Sequence, residues 1–419
     1  MRILWVKAGK LLPVDTGGKI RSYCILKELS RCHQVTLLSY HNGVRDETYE
    51  NAIRLEFPGC RCICTGLPDS NTIGKSLHYL RNAFRRVPFA VSRFNTRQVV
   101  REVTACVCTG AFDVVVCDFL AASLNFQDTG KTPVVLFQHN VESVLWQRKK
   151  SMETNVAKRL VYALEALKME NYEIRTLRRL RHVISVSDQD KCRMLEMAPN
   201  CLVSVVPTGV DASKVVAPAS RNETRPKIVF TGSMDWQPNI DGVFFFCRDI
   251  FPLVQRDFPD AIFQVVGRNP PLKVRRLAST SIEVTGTVPA VDEYLQQATL
   301  VVVPLRIGGG TRLKIFEAMA KGKTVISTTV GAEGLDIKDG REIVLADAPN
   351  EFASRICALL RDPSLRSRYE HAALSNVRQH DWSYIAKHFA GVLERTVNLS
   401  ASDDLIVLSS DLGPKTVPN

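Results

Sequence analysis

Arg306, Arg312 and Lys314 flank the run Gly308-Gly309-Gly310-Thr311, and Glu317 follows five residues after Arg312. The stretch joins an apolar run fit for a strand, Leu300 to Val303, to a helical segment that starts near Arg312. At such a turn glycine lets backbone approach a ligand, and the free N–H groups of the helix start attract anions. Cations beside those amides make a site for a diphosphate. Glu317, on the first turns of the helix, is placed to accept hydrogen bonds from ribose hydroxyls. Blander readings stand beside these: a flexible glycine loop, a solvated cationic face, and a carboxylate that serves the helix dipole or a salt bridge.

Two further places offer chemistry. His139 follows the β-rich run Pro133 to Phe137 in Gln138-His139-Asn140-Val141-Glu142. At the carboxyl end of a strand its imidazole can bond a sugar hydroxyl, with Asn140 or Glu142 orienting the ring; a purely structural histidine is the alternative. Thr16-Gly17-Gly18, between the first strand and the first helix, meets the same description as the triple glycine. Simpler motifs fail. Gly322-Lys323-Thr324 matches the end of a P-loop, but Glu317 stands where its first glycine belongs, and no G-x-G-x-x-G follows the first strand. Asp188-Gln189-Asp190 has the D-x-D spacing of metal-dependent transferases, yet it opens a helix, where Asp serves as a cap, and the cap is the preferred reading. Cys60, Cys62 and Cys64 alternate as in a half-buried strand and lack the C-x2-C pairs of zinc sites. No metal site is expected.

The elements that carry these residues alternate twice. Strands are expected at Met1 to Val6, Gln34 to Tyr40, Asp113 to Asp118, Pro133 to Phe137, His182 to Val186 and Leu202 to Val206, with helices between most of them, including Val156 to Arg179. After Pro207-Thr-Gly-Val-Asp211 and a weakly structured stretch, the alternation restarts. Strands are expected at Lys227 to Phe230, Ala261 to Val266, Ile282 to Val284, Leu300 to Val303 and Thr324 to Ser327, with helices near Asn239 to Val254 and Arg312 to Ala320. Strand–helix alternation implies parallel sheets, so the expected fold is α/β with two doubly wound domains. The expected division is a domain over 1–208, a linker over 209–226, a domain over 227–380, a helix over 381–397 that returns to the first domain, and a loose tail over 398–419.

Bulk properties agree. At 419 residues one ordinary domain is exceeded, and the 45% apolar and 23% charged residues describe a globular chain. No apolar run reaches the roughly 18 residues of a membrane span, and the start is too short for a signal-peptide core, so a cytoplasmic protein is expected. The net charge of +12 favours phosphate-bearing partners without choosing among them. The basic residues are dispersed, which argues against nucleic acid.

The pattern resembles the GT-B glycosyltransferases, specifically the retaining group called family 4. The resemblance runs from Met1 to about Thr396 and is strongest over Val303-Pro-Leu-Arg306 and Thr311-Arg-Leu-Lys-Ile-Phe-Glu-Ala-Met-Ala-Lys-Gly-Lys-Thr-Val-Ile-Ser327. Gly331-Ala-Glu-Gly334, Gly17-Gly18, His139, Ser185-Val-Ser187, Pro207 to Asp211 and Val266-Gly267 support it. It implies two Rossmann-like domains facing across a cleft, and transfer of a sugar from a UDP- or GDP-linked donor to a glycan or lipid-linked acceptor, with retention. Glu317 would hold the donor ribose and the Gly309, Gly310 and Thr311 amides the diphosphate. His139 would face the transferred sugar, and Gly17-Gly18 would lie near donor phosphates and acceptor. The loop around Thr287-Val288 would border the base, and Gly232, Ser233 and Gly267 would join the binding set. No cofactor or metal would be needed, because cations and helix dipoles stabilise the departing diphosphate.

Two departures matter. The family carries a glutamate eight residues before its ribose-binding one, and here that position is Gly309. It also carries G-R followed by K-G after the first strand of the second domain, and here Gly232-Ser-Met-Asp-Trp-Gln-Pro-Asn-Ile-Asp-Gly242 has no cation. Arg306, Arg312 and Lys314 are expected to supply that charge. A sugar-nucleotide epimerase of the same fold, or a scaffold that lost its chemistry, are the competing functions. The segment 79–97 mixes Arg81, Arg85, Arg86 and Arg93 with Phe84, Phe89 and Phe94, and reads either as a surface helix–turn or as a peripheral contact with the cytoplasmic face of a membrane.

Overall fold

The computed structural model describes residues 1–67, 85–127, 130–211, 225–307 and 312–410. The chain divides into two compact units. Unit 1 comprises Met1–Val206 and Ile385–Asn419, and unit 2 comprises Pro207–Tyr384. Among the described residues no helix is long and apolar enough to cross a membrane.

Unit 1 is built on a seven-stranded parallel sheet: β1 (Arg2–Ala8), β2 (Gln34–His41), β3 (Arg61–Cys64), β4 (Val114–Asp118), β5 (Val134–Phe137), β6 (His182–Ser185) and β7 (Leu202–Val205), in the order β3-β2-β1-β4-β5-β6-β7. Strand order reverses between β1 and β4, which pair with Val6 opposite Cys117 and Lys7 opposite Asp118. The centre of the sheet is apolar on both faces, as a sheet covered by helices on both sides requires. Trp5 and Phe137 meet edge to face at 5.9 Å, and Phe389 stacks on Trp5 at 5.5 Å. Phe389 belongs to the last helix, Trp382–Ser410, by which the chain re-enters unit 1. That helix runs on past 398, where a loose tail was expected; after Gly391 no glycine or proline interrupts the sequence until Gly413.

Unit 2 holds a six-stranded parallel sheet: β8 (Lys227–Thr231), β9 (Ile262–Val266), β10 (Ile282–Gly286), β11 (Leu300–Val303), β12 (Val325–Ser327) and β13 (Val344–Leu345), ordered β10-β9-β8-β11-β12-β13. Its reversal falls between β8 and β11. The helix expected over 239–254 is three pieces: Gln237–Phe245, a π-helical turn at Phe246–Ile250, and Phe251–Asp257. Pro252 has no N–H to give, and its ring would crowd the turn before it. The ladder therefore slips by one residue, so that the Phe251 N–H reaches Phe246 O. Open α/β sheets bind ligands outside the carboxyl ends of the strands at such reversals, and both units place their chemistry there.

Candidate functional site

In unit 2 the carboxyl ends of β8 and β9 cross so closely that only glycine fits. A Cβ on Gly267 would fall 1.8 Å from Gly232 O. One on Gly232 would fall 2.6 Å from Lys314 Nζ and 2.7 Å from Asn239 Nδ2. Into that space Lys314 reaches from the first turn of the Leu313–Ala320 helix. Its Nζ donates to Asn239 Oδ1 (2.9 Å) and stands 4.3 Å over the Phe230 ring. The Asn239 amide is itself fixed by donating to Ser233 O at 2.7 Å. Burial pushes the Lys314 ammonium down to about 7; the Arg312 guanidinium adds to the shift, and Glu317 opposes it. The Gln237–Phe245 helix begins beside it with Pro238 in its first turn and no side-chain cap.

The other cations divide. Arg312 is buried at the start of the Leu313–Ala320 helix, its guanidinium 5.3 Å over the Trp236 ring. Arg306 is committed elsewhere: its Nε and NH2 both bond Asp241, at 3.0 and 2.6 Å, and it lies over Phe245. This corrects the expectation that Arg306 supplies charge to a diphosphate, because a bidentate carboxylate already neutralises it. Arg268, just past β9, was not foreseen. Its Nε donates to Ser233 Oγ at 3.0 Å, and it pairs with Asp235 at 3.7 Å. Glu317 sits three residues beyond Lys314 on the same helix, half-buried, and Val288 packs half-buried against the unit 2 core. Gly309, Gly310 and Thr311 lie outside the described residues.

In unit 1 the reversal between β1 and β4 carries a buried charged network. Asp118 accepts from Lys7 Nζ (2.8 Å) and Trp5 Nε1 (3.0 Å) on one oxygen and meets His139 Nε2 (2.8 Å) on the other. Arg21 NH1 lies 2.9 Å from His139 Nδ1. A guanidinium only donates, so Nδ1 accepts and the proton sits on Nε2, facing Asp118. Burial lowers the imidazole pKa to about 4. Asp118 opposes that shift, and the Arg21 and Lys7 charges reinforce it, so the ring is neutral. Burial alone would raise Asp118, but Lys7 and His139 hold its carboxyl well below the usual carboxylate range. Phe119, with φ of +71°, stacks flat on the imidazole at 3.8 Å.

Both ring nitrogens of His139 are thus taken by the protein, and the residue is 2% exposed. This corrects the expectation of a nitrogen free for a sugar hydroxyl, and the residues that orient the ring are Asp118 and Arg21 rather than Asn140 or Glu142. Gly18 is required by the same stack, since a Cβ there would fall 2.4 Å from Phe119 Cζ. Gly17 opens the Gly17–Cys32 helix, whose start has no side-chain cap. A cavity of about 440 Å³ adjoins the network, lined among others by Lys7, Thr16, His41, Arg93, Phe119 and Glu142. Burial, with Glu173 nearby, pushes the Glu142 carboxyl up to about 7. Asn140 is half-buried. The cap expected of Asp188 belongs instead to Ser187, whose Oγ accepts from Asp190 N at 3.1 Å.

Residues 225–362 match the family model described as glycosyl transferases group 1. This stretch is similar to a group 1 glycosyltransferase domain. A phosphatidyl-myo-inositol mannosyltransferase of Mycobacterium leprae is 32% identical over 161 residues, which is 37% of this chain and 43% of that protein's length. The chain therefore aligns to under half of that relative. Sucrose-phosphate synthase of Thermosynechococcus elongatus shares the fold with a TM-score of 0.69 at 15% identity, covering 94% of this chain and 98% of its own. The HepE protein of Anabaena, solved with UDP and glucose, does so with a TM-score of 0.64 at 14% identity, covering 94% and 100%. These likenesses show the GT-B fold of two Rossmann-like domains. Within the group 1 domain the structure brings together Gly232, Ser233, Gly267, Arg312, Lys314 and Glu317. The signal for Arg268 was its place directly after Val266-Gly267, at a strand's carboxyl end.

Proposed function

We propose that the chain transfers a sugar from a nucleoside-diphosphate donor to an acceptor, with the group 1 domain holding the donor. The observation that carries this reading is the enclosed Lys314 ammonium, cradled by Gly232 and Asn239 beside Arg312. A cation kept poorly solvated at the start of two helices is paid back only when an anion arrives. A diphosphate fits, and its charge grows as the sugar leaves. Glu317 takes the ribose hydroxyls, and Val288 borders the base. The Gly309, Gly310 and Thr311 amides complete the diphosphate site on the strength of the family resemblance. Because side chains supply the positive charge, the reaction runs without a divalent metal. Configuration is retained, with the leaving diphosphate taking the acceptor's proton. In unit 1, His139 acts as a positioning residue that holds Phe119 against Gly18. The acceptor, a glycan or a lipid-linked saccharide, is assigned to this unit, and the protein works at the cytoplasmic side.

The test is to incubate the full chain with UDP- and GDP-sugars in EDTA and follow donor cleavage, reading the product anomer by NMR. The expected result is cleavage of one donor with retention, lowered roughly 100-fold or more in Lys314→Ala. If none of the donors is cleaved with or without metal, the transferase reading fails. An inverted product would sink retention alone.

A further inference from the structure

The Val156–Leu180 helix carries two apolar faces, and among the described residues only one is packed against the rest of the chain. Ala166, Met169, Tyr172, Leu177 and Leu180 are buried. On the other side Val156, Leu160, Leu164 and Leu167 recur at helical spacing and are 72%, 68%, 43% and 59% exposed. Isolated exposed leucines need no explanation, but a continuous stripe over three turns marks a contact surface. The charges around its first turns are mainly positive. Between Trp146 and Leu164 the sequence holds Arg148, Lys149, Lys150, Lys158 and Arg159 against a single acid, Glu153. Lys149, Lys150, Lys158 and Arg159 are exposed. The Lys149 ammonium lies 4.5 Å over Trp146, whose ring meets Tyr162 at 6.0 Å.

We propose that this stripe docks unit 1 onto an anionic lipid bilayer, with the valine and leucines entering the headgroup region and the flanking cations meeting lipid phosphates. An apolar face rimmed by cations is what an interfacial helix presents. A second copy of this chain is a poor occupant, because a symmetric contact along the stripe would set these cations against their own duplicates. A nucleic acid would satisfy the cations and leave the leucines in water. The surface differs from the expected membrane segment 79–97. Residues 79–84 lie outside the described residues, and residues 88–94 pack inward. Val91 is buried, Phe89 N–H donates to Glu165 Oε2 at 2.8 Å, and Arg93 lies over Phe94 and lines the unit 1 cavity.

The experiment is co-sedimentation of the full chain with vesicles of phosphatidylglycerol and phosphatidylcholine, or phosphatidylcholine alone, at low and high salt. The expected result is binding to the anionic vesicles that weakens with salt. The partition coefficient should drop at least tenfold in Leu160→Ser/Leu164→Ser and, on the order of tenfold, in Lys149→Gln/Lys158→Gln. Far-UV circular dichroism and Tm confirm that the variants fold; should the serine pair unfold, the glutamine pair decides. Absence of binding by wild type, or equal binding by the folded variants, overturns the proposal. So does a dimer in sedimentation equilibrium that the serine pair abolishes without any vesicle binding. None of these outcomes bears on nucleotide binding in unit 2.

Discussion

At the residue scale, Gly232, Lys314 and Asp118 matter most. Gly232 leaves room for the Lys314 ammonium and the Asn239 amide, each under 3 Å from where a Cβ would stand. Gly232→Ala is expected to weaken nucleoside-diphosphate affinity about tenfold or more, measured by isothermal titration, because both groups must move. Lys314, with its pKa pushed down to about 7, is neutral in the free protein above that pH and must gain a proton when a diphosphate binds. Affinity should therefore fall as pH rises from 7 to 9, by at most about tenfold per unit. Lys314→Gln should bind weakly and lose that slope; an identical slope in the variant would remove Lys314 from the site. Asp118 answers two donors and Lys7 in a buried setting. Asp118→Asn strands the Lys7 ammonium, and urea denaturation should show a loss of about 3–5 kcal/mol. A loss under about 1 kcal/mol would mean the network is not a stabilising one. Because the carboxyl's pKa is depressed, its contribution is present above the unfolded carboxylate range and disappears as pH falls below it.

Elements place these residues, and one contact between helices sets the unit 1 site. Glu173, from the Val156–Leu180 helix, accepts from Glu142 N (2.9 Å), Ser143 N (3.0 Å) and Ser143 Oγ (2.6 Å), and so caps the Glu142–Met152 helix from outside. Glu173→Ala leaves these donors without their acceptor. It should cost about 3 kcal/mol or more, read as a lower Tm, whereas an unchanged Tm would show that water replaces the carboxylate. The strands at 113–118, 227–230 and 300–303 were legible because continuous Val, Ile and Leu runs fit only a doubly covered sheet. The π-turn at Phe246–Ile250 was not, since Pro252 displaces the ladder instead of ending the helix. The candidate site was legible in part. Gly232, Lys314 and Glu317 carry motif spacing, while the Arg306–Asp241 pair joins residues 65 apart that no local pattern connects. His139 was found by position, but its partners Asp118 and Arg21 come from another strand and a distant helix and could not be read locally.

The whole molecule divides the work between two sheets of the same design. Each reverses strand order once, and the Asp118–His139 network of unit 1 and the Lys314–Asn239 contact of unit 2 lie beside those reversals. The net charge of +12 suits a protein whose proposed donor and proposed membrane partner are both anionic. Donor binding is the claim on which the rest stands, and it belongs to the group 1 domain. The most direct measurement is isothermal titration of the full chain with UDP, GDP, ADP and CDP in EDTA, repeated on Lys314→Ala and Glu317→Ala. One nucleoside diphosphate should bind in preference to the others, and each substitution should weaken it at least tenfold. No binding of any nucleotide, or binding that both substitutions leave unchanged, would contradict that claim.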